Sequence, residues 1–120
     1  MIEFIKLSFS YKESAKGSLR EVHLDIPKGQ CVLLCGASGC GKTTLTRLVN
    51  GLIPHFFEGS LSGKVTVGGM NVAETEISTL SDSVGTVFQN PRTQFFNTDT
   101  DSEIVFGLEN RMLEPEKLRQ

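Results

Sequence analysis

The sequence predicts an α/β fold, and three consecutive features point to it. "QCVLLC" at residues 30–35 is an uninterrupted apolar run, "GASGCGKTT" at 36–44 is a glycine-rich stretch directly behind it, and apolar residues at helical spacing follow. A run that is apolar on both sides marks a strand covered on both faces of a parallel sheet. Alternating segments before this unit predict an antiparallel β-subdomain beside the α/β core, and a change of character near residue 99 predicts the start of a helical subdomain.

The elements follow in order. "IEFIKLSF" at 2–9 and "REVHLDI" at 20–26 alternate apolar and polar residues as half-buried strands do. Pro27, Lys28 and Gly29 make a turn into the apolar run. From Lys42 to about Leu52, Leu45, Leu48, Val49 and Leu52 recur at steps of three and four, which predicts a helix with one buried stripe, ended by Gly51 and Pro54. "GKVTVGG" at 63–69 reads as a short strand closed by a turn, "ETEISTL" as a short helix, and "SVGTVFQN" at 83–90 as a strand running into Pro91. In the tail, Asp99, Thr100 and Asp101 are candidate caps for a helix carrying Ile104, Val105 and Leu108, and Pro115 suits a helix first turn. The chain is expected to form one partial domain, a nucleotide-binding core over 1–98 and the start of a helical subdomain over 99–120.

The length of 120 residues is that of about one domain, with an apolar fraction of 38% and a charged fraction of 22% as in soluble globular chains. A formal charge of -2 gives no electrostatic footprint for nucleic acid, so no nucleic-acid partner is expected. The apolar stretches are far too short to span a bilayer, and the chain is expected to be cytosolic and unanchored. Cys31, Cys35 and Cys40 are an odd, clustered set without paired C-x-x-C spacing, and His23 and His55 stand alone. Reduced thiols follow from this pattern, without a metal cluster, and Cys31 and Cys35 are expected as core strand residues.

Residues Gly36 to Thr43 fit G-x-x-x-x-G-K-[ST], the phosphate-binding loop. The spacing matters because the amides of Ser38 through Thr43 must turn toward one centre to form an anion nest. Gly39 and Gly41 permit the curl, and the helix from Lys42 aims its positive dipole end at the same place. Lys42 is a compact charge for β- and γ-phosphates, and the Thr43 hydroxyl is a ligand for Mg²⁺. Cys40 has two readings: a small side chain tucked against the sheet, or a thiol activated by Lys42 and the helix N-terminus.

The order "FSY", "LDIPKGQCVLLCGASGCGKTTLTRLVNGL" and "VFQNPRTQFF" resembles the ATPase subunits of ABC transporters over essentially the whole chain. The glutamine loop "QNPRTQF", followed by "DSEIVFGLEN", looks most like the energy-coupling-factor type. The resemblance implies a P-loop NTPase core, the N-terminal portion of an ABC ATPase domain. It implies that Tyr11 stacks on adenine and that Gly36, Ala37, Ser38, Gly39, Cys40, Gly41, Lys42, Thr43 and Thr44 hold the phosphates. Thr43 and Gln89 would contact Mg²⁺, and Lys42 and Gln89 would be the catalytic pair, with Gln89 on the attacking water and relaying nucleotide state. Implied partners are MgATP, a second ABC ATPase domain, and transmembrane subunits reached through the glutamine-loop region, which places the protein on the cytoplasmic face of the cell membrane. The cargo implied for the subfamily is a vitamin, a vitamin precursor or a metal ion.

Gln94 either lines the same loop or is a solvent-facing turn residue, and Phe95 and Phe96 are either core or part of a groove for a membrane partner's helix. "LSGK" at 61–64 resembles the start of the LSGGQ signature but is rejected, since it lacks the second glycine and the glutamine and is read as preceding a strand. His55 reads as a loop histidine. Glu103, Glu109 and Glu114 read as a solvated helix face. These residues contain no signature, no apolar strand ending in Asp-Glu and no switch histidine, so the chain alone is expected to bind MgATP poorly and hydrolyse it negligibly. The competing readings are a non-catalytic nucleotide-binding or dimerisation module and a small-molecule kinase; Tyr11 and Gln89 argue against the kinase.

Overall fold

Phe4, Leu7 and Phe9 are the buried residues of the first strand, and they do not share a parity. A regular strand cannot put positions 4 and 7 on one face. The computed structural model, which describes residues 1–12 and 19–110, resolves this with a β-bulge. Strand β1, Ile2–Tyr11, runs antiparallel to β2, Leu19–Ile26, and to β3, Gly59–Val67. Its register to β3 slips between Ile5 and Ser8, which face Lys64 and Ser62, so β1 carries one extra residue there. Lys6 takes φ 45° in the bulge, and the buried face passes from even to odd positions.

Gly63 sits opposite the bulge with φ +81°, and a Cβ there would lie 2.3 Å from the Lys6 carbonyl oxygen. The other edge of β3 closes as a tight hairpin, with Val67 facing Met70 of β4, Met70–Asn71, across Gly68 and Gly69 at φ 58° and 86°. Both positive φ values match the turn that suits the twist of two strands. The sheet order is β2-β1-β3-β4.

Helix α1, Lys42–Val49, α2, Leu52–His55, and α3, Ile77–Ser81, accompany the sheet. Leu48, Ile53 and Leu80 from these helices join Phe4, Leu7, Phe9, Leu19, Val65, Val67 and Val72 in one buried cluster. Gly51 takes the left-handed conformation at φ 77°, which separates α1 from α2 earlier than the apolar spacing predicts. His55 lies in α2 rather than a loop, with Nε2 3.2 Å from the Val72 carbonyl. "LSGK" lies inside β3 and does not precede a strand.

Two expected strands do not form. Residues 31–35 form no strand, with Leu33 85% exposed and Cys31 and Cys35 at the surface. Residues 84–88 likewise form no strand, and Val87 is 83% exposed. A strand apolar on both faces needs sheet neighbours and two covering layers, and among the described residues neither segment has a neighbouring strand.

The chain divides into two compact units, Met1–Thr86 and Val87–Gln120. In the second, a 3-10 turn at Pro91–Gln94 is followed by helix α4, Thr100–Glu109. Pro115 and Glu114 lie outside the described residues.

Gly63→Ala and Gly68→Ala distinguish strain from collision. Both glycines have positive φ, but a Cβ on Gly68 meets nothing within 4 Å. Urea unfolding should show Gly68→Ala losing about 1–2 kcal/mol, the cost of a left-handed L-residue, and Gly63→Ala losing clearly more. Equal losses would show that the bulge can yield to a methyl group.

Candidate functional site

The loop between Cys35 and α1 is built by three glycines in unusual conformations: φ is +155° at Gly36, +80° at Gly39 and +101° at Gly41. Gly41 caps α1 without a side-chain hydrogen bond, so the first amides of the helix have no side-chain acceptor. The packing also demands glycine, since a Cβ on Gly41 would lie 2.8 Å from Leu19 Cδ2 and one on Gly36 2.7 Å from Cys40 Sγ. Leu19 is a core residue, so the loop's last turn is seated against the sheet.

Lys42 turns its ammonium back into this loop. Nζ donates to the carbonyl oxygens of Gly36 at 2.8 Å and Ala37 at 2.7 Å, and lies 3.5 Å from Cys40 Sγ. Cys40 is exposed, which overturns its reading as a side chain tucked against the sheet. Thr43 is exposed, whereas Thr44 is buried, its Oγ1 3.3 Å from the Tyr11 hydroxyl.

Tyr11 therefore meets the helix that follows the loop. Arg47 Nη1 donates to its hydroxyl oxygen at 3.1 Å, and the Arg47 guanidinium lies 4.1 Å over the Phe57 ring. The Tyr11 ring makes edge-to-face contacts with Phe9 and Phe57, at centroid distances of 4.8 and 6.3 Å. Arg47 and Phe57 escaped the sequence reading. Arg47 stands one helical turn from Thr43, a spacing that places them on one face, but nothing in the sequence announces Phe57.

In the second unit, Gln89 is exposed at a bend that its neighbours tie from both sides. Gln94 Oε1 accepts from the Phe88 amide at 2.9 Å, and the Asn90 carbonyl accepts from the Thr93 amide and hydroxyl at 3.3 and 2.8 Å. Gln94 is thus a half-buried staple of the loop rather than a free turn residue. Glu103 also departs from its solvated-face reading: Oε2 accepts from the amides of Phe96 and Asn97 at 3.1 and 2.9 Å and from Asn97 Nδ2 at 3.3 Å. Phe95 and Phe96 are exposed, which removes the core reading, and Phe96 stacks on Phe106 at 5.2 Å. Among the described residues no group of His, Cys, Asp or Glu is placed to hold a metal, and no helix is long and apolar enough to cross a membrane.

The family model described as ABC transporter matches residues 19–117, most of the chain. The chain belongs to the ABC transporter family. An ABC transporter ATP-binding protein of Treponema denticola is 71% identical over 118 residues, covering 98% of this chain and 24% of that protein. One from Pyrococcus abyssi is 43% identical over 118 residues, 42% of its length. The solved structure of cbiO1 from Clostridium perfringens, described as part of the ABC transporter complex cbiONQ, aligns with a TM-score of 0.81 at 26% identity over 98% of this chain and 45% of that one. The chain thus spans less than half the length of these relatives. Its fold is that of the N-terminal portion of an ABC ATPase, an antiparallel sheet with helices around a phosphate-binding loop.

Within this ABC ATPase fold, α4 begins at a carboxylate cap. Asp99 Oδ1 accepts from the Ser102 amide at 2.8 Å, and this bond, then the Ser102 side chain, holds the Asp99 carboxyl below its ordinary value of 3.8. A lowered folded-state value means the cap stabilises α4 above the ordinary carboxylate range and is lost as pH falls through the lowered value. Amide exchange at Ser102 should accelerate at acid pH beyond its intrinsic rate, and Asp99→Ala should lack protection at every pH. Equal protection in the variant would remove Asp99 from the cap.

Proposed function

We propose that this chain is the nucleotide-gripping part of the ATPase component of an energy-coupling-factor importer, where ATP binding and hydrolysis drive uptake of a vitamin, vitamin precursor or metal ion. The observation that carries the reading is the loop: three glycines in glycine-favouring conformations, a lysine ammonium inside the curl, and a helix start without a side-chain cap. Its membership of the ABC transporter family supports ATP as the ligand, and its likeness to cbiO1 supports the importer type and membrane-subunit partners.

The chemistry follows from exchange of partners. The Lys42 ammonium now bonds two neutral carbonyls. Phosphate oxygens carry full charge, and charge-assisted bonds are roughly twice as strong as neutral ones. An arriving triphosphate therefore draws the ammonium off Gly36 and Ala37, while the amides from Ser38 to Thr43 take the remaining oxygens. Thr43 is exposed and its hydroxyl has no hydrogen bond among the described residues, which fits an ion that arrives with the nucleotide. Mg²⁺, when bound, neutralises charge between the β- and γ-phosphates. Tyr11 offers a ring for adenine. Gln89, by resemblance, senses the metal and the attacking water, and its stapled loop gives it a fixed place within its own unit.

Residues 99–120 would begin the helical subdomain, a second ABC ATPase domain would complete the site, and the whole would lie on the cytoplasmic face of the membrane through partner subunits. These 120 residues contain neither the signature nor the acidic strand, so by themselves they grip MgATP weakly and turn it over negligibly.

Titration with a fluorescent ATP analogue and Mg²⁺ tests the reading. Lys42→Ala should weaken binding at least about tenfold, as loss of a bond to a charged group does. An unchanged affinity would sink the proposal. ATP turnover by the purified chain that vanishes in Lys42→Ala would leave the binding reading intact and refute the claim of negligible hydrolysis.

A further inference from the structure

Arg47 is the residue of the site that neither the phosphate motif nor the family reading employs. Its guanidinium is half-buried and pairs with no carboxylate among the described residues. Instead it serves two aromatic rings, donating to the Tyr11 hydroxyl at 3.1 Å and lying 4.1 Å over Phe57. Arginine has donors and no acceptor, so the phenol oxygen accepts from it, and either hydroxyl can donate in the 3.3 Å contact with Thr44 Oγ1. Two polar contacts at the hydroxyl and edge-to-face contacts with Phe9 and Phe57 fix both the position and the plane of the ring.

We propose that Arg47 is a positioning residue for the nucleotide base: it clamps Tyr11 in the plane on which the base stacks, so it contributes to affinity for nucleotides but not for a bare polyphosphate. The inference rests on the nucleotide reading above. The physical reason is preorganisation. A free tyrosine side chain loses rotamer freedom when a base lands on it, and a ring already held loses little more. The phosphates are held by another set of atoms, the loop amides and Lys42, so the two parts of the ligand can be separated by experiment.

Cation–π contact and a directed N–H bond both need the planar guanidinium, which lysine does not reproduce. Two variants therefore address the clamp from opposite ends. Arg47→Lys keeps the charge and length of the side chain. Tyr11→Phe keeps the ring and removes the oxygen that Arg47 holds.

Dissociation constants for MgATP and for magnesium tripolyphosphate, which has no base, are measured on wild type, Arg47→Lys, Tyr11→Phe and the double variant. Arg47→Lys and Tyr11→Phe should each weaken MgATP several-fold to about tenfold, a part of the worth of one hydrogen bond to a charged donor because the clamp acts through the ring, and leave tripolyphosphate unchanged. The double variant should lose less than the product of the two single effects, since both cut one contact. Tyr11 is the only tyrosine and the chain has no tryptophan, so ultraviolet emission reports this ring alone. Its anisotropy should fall in Arg47→Lys. Equal weakening of both ligands, or an unaltered preference for MgATP, would overturn the proposal. If Arg47→Lys fails to fold, Tyr11→Phe decides by the same ratio. A wild-type chain that binds neither ligand refutes the nucleotide reading, a result distinct from binding of both with no effect of the clamp variants.

Discussion

The bond from the Lys42 ammonium to the carbonyl oxygens of Gly36 and Ala37 closes the first unit's loop upon itself, and the surrounding structure serves that closure. The loop can curl only where φ is positive, which puts glycine at 39 and 41. Gly41 must also lack a side chain because Leu19, the first residue of β2, occupies the space a Cβ would need. One glycine thus satisfies a backbone requirement and a packing requirement together. The helix behind it starts without a side-chain cap, which under the proposed function leaves those amides for an anion. A capped helix would be slightly more stable and would compete with the ligand for the same donors.

Much of this was legible. The phosphate motif specifies residue types whose reasons are local, backbone freedom at the glycines and charge at Lys42, and local reasons survive whatever the rest of the chain does. The two first strands were legible in kind but not in register. Alternation over 2–9 hides a change of parity between Phe4 and Leu7, and only pairing with β2 and β3 exposes the bulge. Gly63 carries the clue, since a glycine within a strand marks a close approach of backbone, but its partner at Lys6 is 57 positions away in sequence. Glu103 was misread for a similar reason. A glutamate at helical spacing looks solvated until the chain just before the helix folds back and presents amides at 96 and 97.

The runs at 31–35 and 84–88 show the opposite kind of error. The first has the pattern of a strand buried on both faces and the second reads as a strand running into Pro91, and each expectation came from the local pattern alone. A strand, unlike a helix, cannot satisfy its own backbone; it depends on neighbours that may lie anywhere in the sequence. The described sheet is complete without them, running β2-β1-β3-β4, and its helices cover the cluster around Phe9 and Leu48 instead. Leu33 and Val87 consequently stand in solvent. The chain spans less than half the length of the ABC transporter relatives it matches. Helix α1 forms regardless because its hydrogen bonds are internal and its buried side, through Leu48, needs only the sheet that is present.

The clamp of Tyr11 by Thr44 and Arg47 joins the two halves of the candidate site through α1. Thr44 directly follows the residue proposed for the metal, and its hydroxyl is buried against the phenol. A buried hydroxyl without a partner would be costly, so the tyrosine and the helix are held to one another. Arg47 adds a second tie one turn along the helix and anchors it on Phe57, beyond α2. The helix and the aromatic ring are therefore tied to one another, and under the proposed function a triphosphate drawn into the curl would bring its base to a ring already in place. In the proposed reading, a tyrosine at the end of β1 would serve a ligand whose charged atoms are gripped by the loop that begins at Gly36.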